Sequence, residues 1–163
     1  MTDGFGPMPK SIRHHEFNKI DGLGSKFSTN TSAVILELVQ GEAGIIPAKK
    51  NFVNAIVKLC KKNNALLIID EVQSGVGRTG SLFTYEQYGI KPDILCSAKG
   101  MGNGIPIGAM LTTNKVAQNM VVGMHGSTYG GNPLACAVSK EVFEIISKKT
   151  FLKNVLTVSY THL

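Results

Sequence analysis

The sequence predicts an α/β fold, because short runs of consecutive apolar residues alternate with a segment of helical periodicity. Four such runs, each bounded by turn residues, occupy residues 33–39, 65–70, 93–97 and 107–112. Strands that are apolar at successive positions are typical of a parallel sheet covered on both faces. We therefore expect a mostly parallel sheet with helices on both of its faces.

The segment between the first two runs predicts a helix. Phe52, Ile56 and Cys60 recur there at the spacing of a helical turn, and lysines fill the other side. The strand, helix, strand unit should form a right-handed crossover. Further along, Asn132 followed by Pro133 predicts a helix start, with a capping side chain and a proline at the first helical position.

The composition bounds the class of protein. The 163 residues suit one domain, and no apolar run approaches the ~18 residues of a membrane span. The first residues lack a secretory signal, so we expect a cytoplasmic protein that does not enter a membrane. Net charge is +6, but the lysines are dispersed in pairs without interleaved aromatics. This pattern favours solvated helix faces over nucleic-acid binding.

Cysteines and histidines give no sign of a metal site. Cys60, Cys96 and Cys136 are odd in number and far apart, which argues against a disulfide framework and predicts three small core residues. The pair His14 and His15 has no partner pair at a helical spacing, so we expect no metal.

A glycine pattern follows the second apolar run, at Gly75, Gly77 and Gly80. A dinucleotide-binding turn would need its first glycine at the strand end and a helix beginning inside the motif. Here residues 70–74 intervene and no amphipathic helix follows. A phosphate loop also fails, because no Gly-Lys-Ser/Thr closes the motif. The glycines are therefore expected to shape a tight loop.

Two chemically reactive side chains lie at strand ends. Asp70 closes the second run, and Lys99 follows the third in a glycine-rich turn. Ligands gather beyond the carboxyl ends of parallel strands. A lysine amine there can bond a carbonyl compound, and a facing carboxylate suits the ring nitrogen of pyridoxal phosphate. Acids at strand ends also cap helices or pair with arginines, so the residues alone leave both interpretations open.

Two long stretches carry a resemblance to a known family: ALLIIDEVQSGVGRTGSLFTYEQYGIKPDILCSAKGMGNGIPIGAML and HGSTYGGNPLACAV. They resemble the class III (subgroup II) aminotransferases, most closely their acetylornithine branch, and the match extends over about residues 4–155. The resemblance implies part of the aspartate-aminotransferase-like (fold type I) large domain with pyridoxal 5'-phosphate as cofactor. Leu38 departs from the family's usual proline, and Asn103 from a frequent glycine.

The resemblance also implies roles for residues. Lys99 matches the catalytic lysine that binds the cofactor covalently, Asp70 the partner of the ring nitrogen, and Gln73 the residue at the ring hydroxyl. Thr128 matches the threonine that reaches the cofactor phosphate of the neighbouring subunit, with Ser127 beside it, which implies a homodimer. Glu42 resembles the acid that pairs with a substrate-binding arginine, and Glu37 a second acid of the substrate site.

The implied reaction is transamination of N-acetylornithine with 2-oxoglutarate, in arginine biosynthesis. A sister enzyme for ornithine, succinylornithine or 4-aminobutyrate is the nearest alternative, and a fragment without cofactor is an alternative of another class. We expect residues 1–32 to be a connection, residues 33–155 the central part of the large domain, and residues 156–163 a tail foreign to the family. From Thr157 the chain should follow a helix that has already ended. The family's amino-terminal segment and small carboxy-terminal domain have no counterpart here, so we expect a truncated, poorly soluble and nearly inactive chain.

Overall fold

The computed structural model describes residue 4 and residues 6–162, with side chains described as far as residue 158. Six strands are present in this part of the chain: β1 Ala33–Glu37, β2 Val39–Gln40, β3 Ile46–Pro47, β4 Leu66–Asp70, β5 Ile94–Ser97 and β6 Ala109–Thr112. Five α-helices accompany them: α1 Lys50–Asn63, α2 Tyr85–Tyr88, α3 Asn114–Ala117, α4 Pro133–Ile146 and α5 Lys149–His162.

The main sheet has four strands in the order β1-β4-β5-β6. Strands β1, β4 and β5 run parallel, as predicted, whereas β6 is antiparallel to β5. The run at residues 33–39 is not one strand, because β1 ends at Glu37 and β2 pairs with β3 in a separate hairpin. The buried residue Leu38 lies at the break, and its carbonyl accepts a hydrogen bond from the Ala48 N–H.

Helix α1 covers one face of the sheet. Phe52, Val53 and Ile56 of this helix belong to the same buried cluster as the strand residues Leu67 and Ile69. Burial of these large side chains is the main source of stability in the fold. The helix ends at Asn64, which adopts a left-handed conformation with φ 53° and whose N–H bonds to the last turn.

The opposite face of the sheet is open in this chain. Residues that alternate with the α1-facing ones, such as Ile35 and Met110, are 63% and 47% exposed. Helices α4 and α5 pack on each other, and α4 also contacts the turn Lys99–Met101. Helices were expected on both faces of the sheet. The α1 face is covered, whereas the other face presents apolar surface to solvent.

Two local predictions are wrong and one is confirmed. The tail was expected to follow a finished helix, yet α5 continues to His162, because its sequence holds no glycine or proline to stop it. Cys136 is exposed on α4 rather than part of the core, whereas Cys60 is buried. The start of α4 is as expected: the Asn132 side chain accepts a hydrogen bond from the Ala135 N–H at 2.9 Å. The division of the chain at residues 32 and 155 stays a prediction, and residues 1–3, 5 and 163 lie outside the described part.

Candidate active site at the ends of strands β4 and β5

Three parallel strands deliver polar side chains to one edge of the sheet. Glu37 at the end of β1 is in register with Asp70 at the end of β4, and Asp70 is in register with Cys96 of β5. Paired residues point to the same face, and neighbouring strands lie about 5 Å apart. The two carboxylates therefore lie side by side on the open face of the sheet.

Asp70 is held by the turn that follows it. Its Oδ1 accepts a hydrogen bond from the Val72 N–H at 3.0 Å. Its other carboxylate oxygen accepts none from any described residue, and the side chain is only partly buried. The turn thus fixes one carboxylate oxygen of Asp70 and leaves the other without a hydrogen bond to the described residues.

Lys99 begins a tight turn directly beyond β5. Its backbone is left-handed, with φ 43°, a conformation that non-glycine residues rarely adopt. Residues held in this region cluster at functional sites, where the surrounding structure enforces them. The Nζ of Lys99, which follows β5, donates a hydrogen bond to the Oε1 of Gln73, which follows β4. The turn therefore places the amine beside Gln73, in the loop that follows Asp70.

Gln73 is positioned by the loop after β2. A Cβ at position 41 would lie 2.6 Å from the Gln73 Cγ, so only a glycine allows the two to pack this closely. The Gly41 N–H donates to the Glu37 Oε2 at 3.2 Å, which bends the chain toward Gln73. Glu37, Gly41, Gln73 and Lys99 thus form one continuous chain of contacts.

The glycine pattern shapes a loop, in agreement with the sequence analysis. The Gly77 N–H donates to the Leu82 carbonyl, and the Gly80 N–H donates to the Gly77 carbonyl, so the motif folds into successive turns. The first helix after it, α2, has four residues and starts at Tyr85, well beyond the motif. A Cβ at Gly77 would meet the side chains of Ile146 and Leu152, and one at Gly80 would meet Leu156, so apolar contacts fill the space beside these glycines.

Glu71 is a buried residue to which the sequence analysis assigned no role. It is 0% exposed, and its Oε2 and Oε1 accept hydrogen bonds from the N–H groups of Thr84 and Tyr85 at 2.6 and 2.7 Å. Burial raises the pKa of this carboxyl, and the two backbone donors only partly offset the shift. Strand alternation was the available signal, because adjacent residues face opposite sides and only Asp70 can face the site.

The remaining predicted residues lie outside this contact chain. Glu42 follows Gly41 in an exposed turn, and Thr128 is exposed in the segment before α4. Neither side chain hydrogen-bonds to another described residue. The Ser127 Oγ accepts a hydrogen bond from the Gly130 N–H at 3.1 Å. The structure thus brings Lys99, Gln73 and Glu37 together with Asp70 at one edge, and leaves Glu42, Ser127 and Thr128 without contact to Lys99.

The side chains at this edge combine a primary amine, an amide acceptor and two carboxylates. A lysine amine so placed can attack a carbonyl carbon or carry a proton. Across residues 4 and 6–162, no cluster of three or more His, Cys, Asp and Glu side chains is arranged to hold a metal ion. No helix in the same residues is long and apolar enough to cross a membrane.

Comparison with known families identifies the scaffold that carries this arrangement. The model of the family "Aminotransferase class-III" matches residues 6–161. This chain belongs to the class-III aminotransferases. The resemblance stated from the sequence motifs is thereby confirmed over nearly the whole chain.

Curated relatives of this class-III aminotransferase include two bacterial proteins. The acetylornithine/succinyldiaminopimelate aminotransferase of Buchnera aphidicola is 54% identical over 94% of this chain and 38% of its own length. The acetylornithine aminotransferase of Pseudomonas putida is 53% identical over 90% of this chain and 36% of its own length. The chain therefore spans well under half the length of these relatives.

Solved structures agree with the family and confirm the fold. The N-acetylornithine aminotransferase of Stenotrophomonas maltophilia superposes with a TM-score of 0.81 at 39% identity, covering 91% of this chain and 38% of that one. The ornithine aminotransferase of Toxoplasma gondii, in a structure with partial occupancy of pyridoxal phosphate (PLP), gives a TM-score of 0.86 at 34% identity, covering 92% of this chain and 36% of that one. This class-III aminotransferase thus has the predicted fold type I architecture, in part.

Proposed function

We propose that this chain supplies the lysine-bearing centre of a pyridoxal-phosphate-dependent aminotransferase that uses N-acetylornithine and 2-oxoglutarate. The observation that supports it most is the contact between the Lys99 amine and Gln73 beside the partly unsatisfied carboxylate of Asp70. This donor set fits the cofactor, which needs an amine for its aldehyde, an anion for its ring nitrogen and a polar group for its hydroxyl.

Each residue has a distinct part in the proposed chemistry. When bound, pyridoxal phosphate withdraws electrons from the substrate carbon that bears the amino group. Asp70 would hold the proton on the ring nitrogen, and Gln73 would bind the ring hydroxyl and, before substrate arrives, the Lys99 amine. The Lys99 Nζ would take the proton from the substrate carbon as general base and deliver it to the cofactor as general acid.

The substrate and the partner subunit are part of the same proposal. Glu42 and Glu37 lie at the loop that would receive the substrate, with Glu42 exposed and able to pair with an arginine. Ser127 and Thr128 would bind the cofactor phosphate of a second copy, because the segment that carries them is exposed and neither side chain hydrogen-bonds to Lys99 in its own chain. A cytoplasmic homodimer is the assembly that this proposal requires.

Sister activities are the nearest rival. One relative, from Pseudomonas aeruginosa, is named a succinylornithine transaminase/acetylornithine aminotransferase and is 50% identical over 94% of this chain. Turnover assays of the full-length protein with N-acetylornithine, succinylornithine, ornithine and 4-aminobutyrate, each with 2-oxoglutarate, separate these activities. The proposal expects N-acetylornithine to have the highest kcat/KM, and preference for ornithine or 4-aminobutyrate would contradict it.

The cofactor itself is tested by reductive trapping. The chain is incubated with pyridoxal phosphate, reduced with borohydride, digested and mapped by mass spectrometry. We expect the label at Lys99 and its loss in Lys99→Ala. The matched control is Lys91→Ala, which removes an exposed lysine ahead of β5 and should leave the label in place. A label spread over many lysines, or none, would support the alternative of a fragment that does not bind the cofactor.

A further inference from the structure

Glu71 is a buried carboxylate without a cationic partner. It is 0% exposed, and neither of the ion pairs among the described residues involves it. Burying an unpaired charge is costly, so such a group persists where hydrogen bonds compensate it. Its two oxygens accept from the Thr84 and Tyr85 N–H groups at 2.6 and 2.7 Å. Both donors lie at the start of helix α2.

The backbone of Glu71 is tied to two further elements. Its N–H donates to the Cys96 carbonyl of β5 at 2.9 Å, and its carbonyl accepts from the Gly75 N–H at 3.0 Å. The Thr84 hydroxyl, in turn, donates to the Ser74 carbonyl at 2.9 Å. These bonds enclose residues 71–75 on both sides. Gln73, the hydrogen-bond partner of Lys99, lies inside that enclosed turn.

We propose that Glu71 is a positioning residue that holds the 71–75 turn so that Gln73 meets the Lys99 amine and Asp70 keeps one carboxylate oxygen without a hydrogen bond to the described residues. The inference rests on the proposed function and deepens it. Glu71 does not touch the reacting groups, because strand alternation turns it away from Asp70 into the protein interior. It acts through the backbone of the loop at residues 84–85.

A conservative variant tests this role. Glu71→Gln keeps the shape but offers one acceptor oxygen, so one backbone donor faces an amide N–H. We expect trapping of pyridoxal phosphate at Lys99, per folded molecule, to fall about tenfold, the usual effect of losing one hydrogen bond to a charged group. The folded fraction is measured by circular dichroism in the same buffer, so that loss of fold is counted separately from loss of trapping.

A stability-matched control distinguishes positioning from stabilisation. Ile56→Val removes one methylene from the α1 core and should lower Tm while leaving trapping per folded molecule within about twofold. Wild-type trapping at Lys99 with equal trapping in Glu71→Gln overturns the positioning role alone. No trapping in the wild type overturns the proposed function, and the inference with it.

A second variant covers the case in which Glu71→Gln does not fold. Thr84→Val removes the hydroxyl bonds to the Ser74 carbonyl and to the Thr79 hydroxyl, and keeps the backbone N–H that Glu71 accepts. We expect trapping at Lys99 to fall about threefold, since the neutral hydrogen bond that closes the turn is lost. Trapping at the wild-type level in folded Thr84→Val would show that the enclosed turn does not govern Lys99.

Discussion

Two candidate parts of the site differ in how much of their structure this chain supplies by itself. The turn and loop at residues 70–85 are buried or partly buried except at Gln73 and Arg78, and their polar groups are tied together by Glu71 and Thr84. The segment at residues 118–131 is exposed throughout, with Tyr129 81% exposed. The first region is built before any ligand or partner arrives. The second is an exposed surface of the kind that a neighbouring subunit covers.

The largest difference should be in stability. Phe83 is buried between the rings of Tyr85 and Phe143, so Phe83→Ala should lower the free energy of unfolding by about 3–5 kcal/mol. Tyr129→Ala should change it by less than about 0.5 kcal/mol, since the side chain is exposed. Urea denaturation measures both. Equal losses would show that the segment at residues 118–131 is packed in solution.

A charge-removing variant comes next. Asp70→Asn keeps the size of the side chain but removes the anion proposed to hold the ring nitrogen. We expect transamination to fall about a hundredfold, the effect of losing one preorganised electrostatic contact. Steady-state kinetics of the full-length protein should show the loss in kcat. A matched variant, Asp93→Asn, lies at the opposite end of β5, and an equal loss there would contradict a specific role for Asp70.

The close contact at Gly41 gives a smaller effect. A methyl group in Gly41→Ala would lie 2.6 Å from the Gln73 Cγ and must displace that side chain. We expect trapping at Lys99 to fall about tenfold, because Gln73 no longer orients the amine. Gly24→Ala is the control, since a Cβ there meets no atom within 4 Å. Unchanged trapping in Gly41→Ala would remove Gly41 from the chain of contacts.

The smallest effect concerns pH. Burial raises the pKa of Glu71 from its ordinary 4.5, so the folded state holds this proton more tightly than the unfolded state. The associated stability is full below pH 4.5 and is lost as pH rises through the raised pKa. The stability of the wild type relative to Glu71→Gln should therefore decline over that window. Denaturation curves at several pH values measure it, and a constant difference would argue against a raised pKa.

The sequence anticipated the parallel part of the sheet, because strands buried by neighbours are apolar at consecutive positions. It did not give the direction of β6, since composition carries no sign of strand polarity. The predicted first strand also continued through Leu38. In the structure β1 ends at Glu37, and Leu38 is buried at the break between two sheets. The sequence analysis ended helix α5 too early. The segment holds no glycine or proline to stop it, and α5 continues to His162.

The site was anticipated unevenly. Asp70 and Lys99 could be singled out because both follow apolar runs that end at one edge of the sheet. The contact of Gln73 with Lys99 could not be predicted from the sequence, because Gln73 lies in a turn whose backbone path depends on Glu71. Glu71 was overlooked because it lies next to Asp70, to which the sequence analysis assigned the functional role. Only its burial and its two backbone donors indicate a role for Glu71.

The most direct test is a crystal structure of the protein after reductive trapping with pyridoxal phosphate. We predict a covalent bond from the Lys99 Nζ to the cofactor and a distance of about 3 Å between the ring nitrogen and an Asp70 carboxylate oxygen. A cofactor bonded to another lysine, or a ring nitrogen without contact to Asp70, would contradict the central claim.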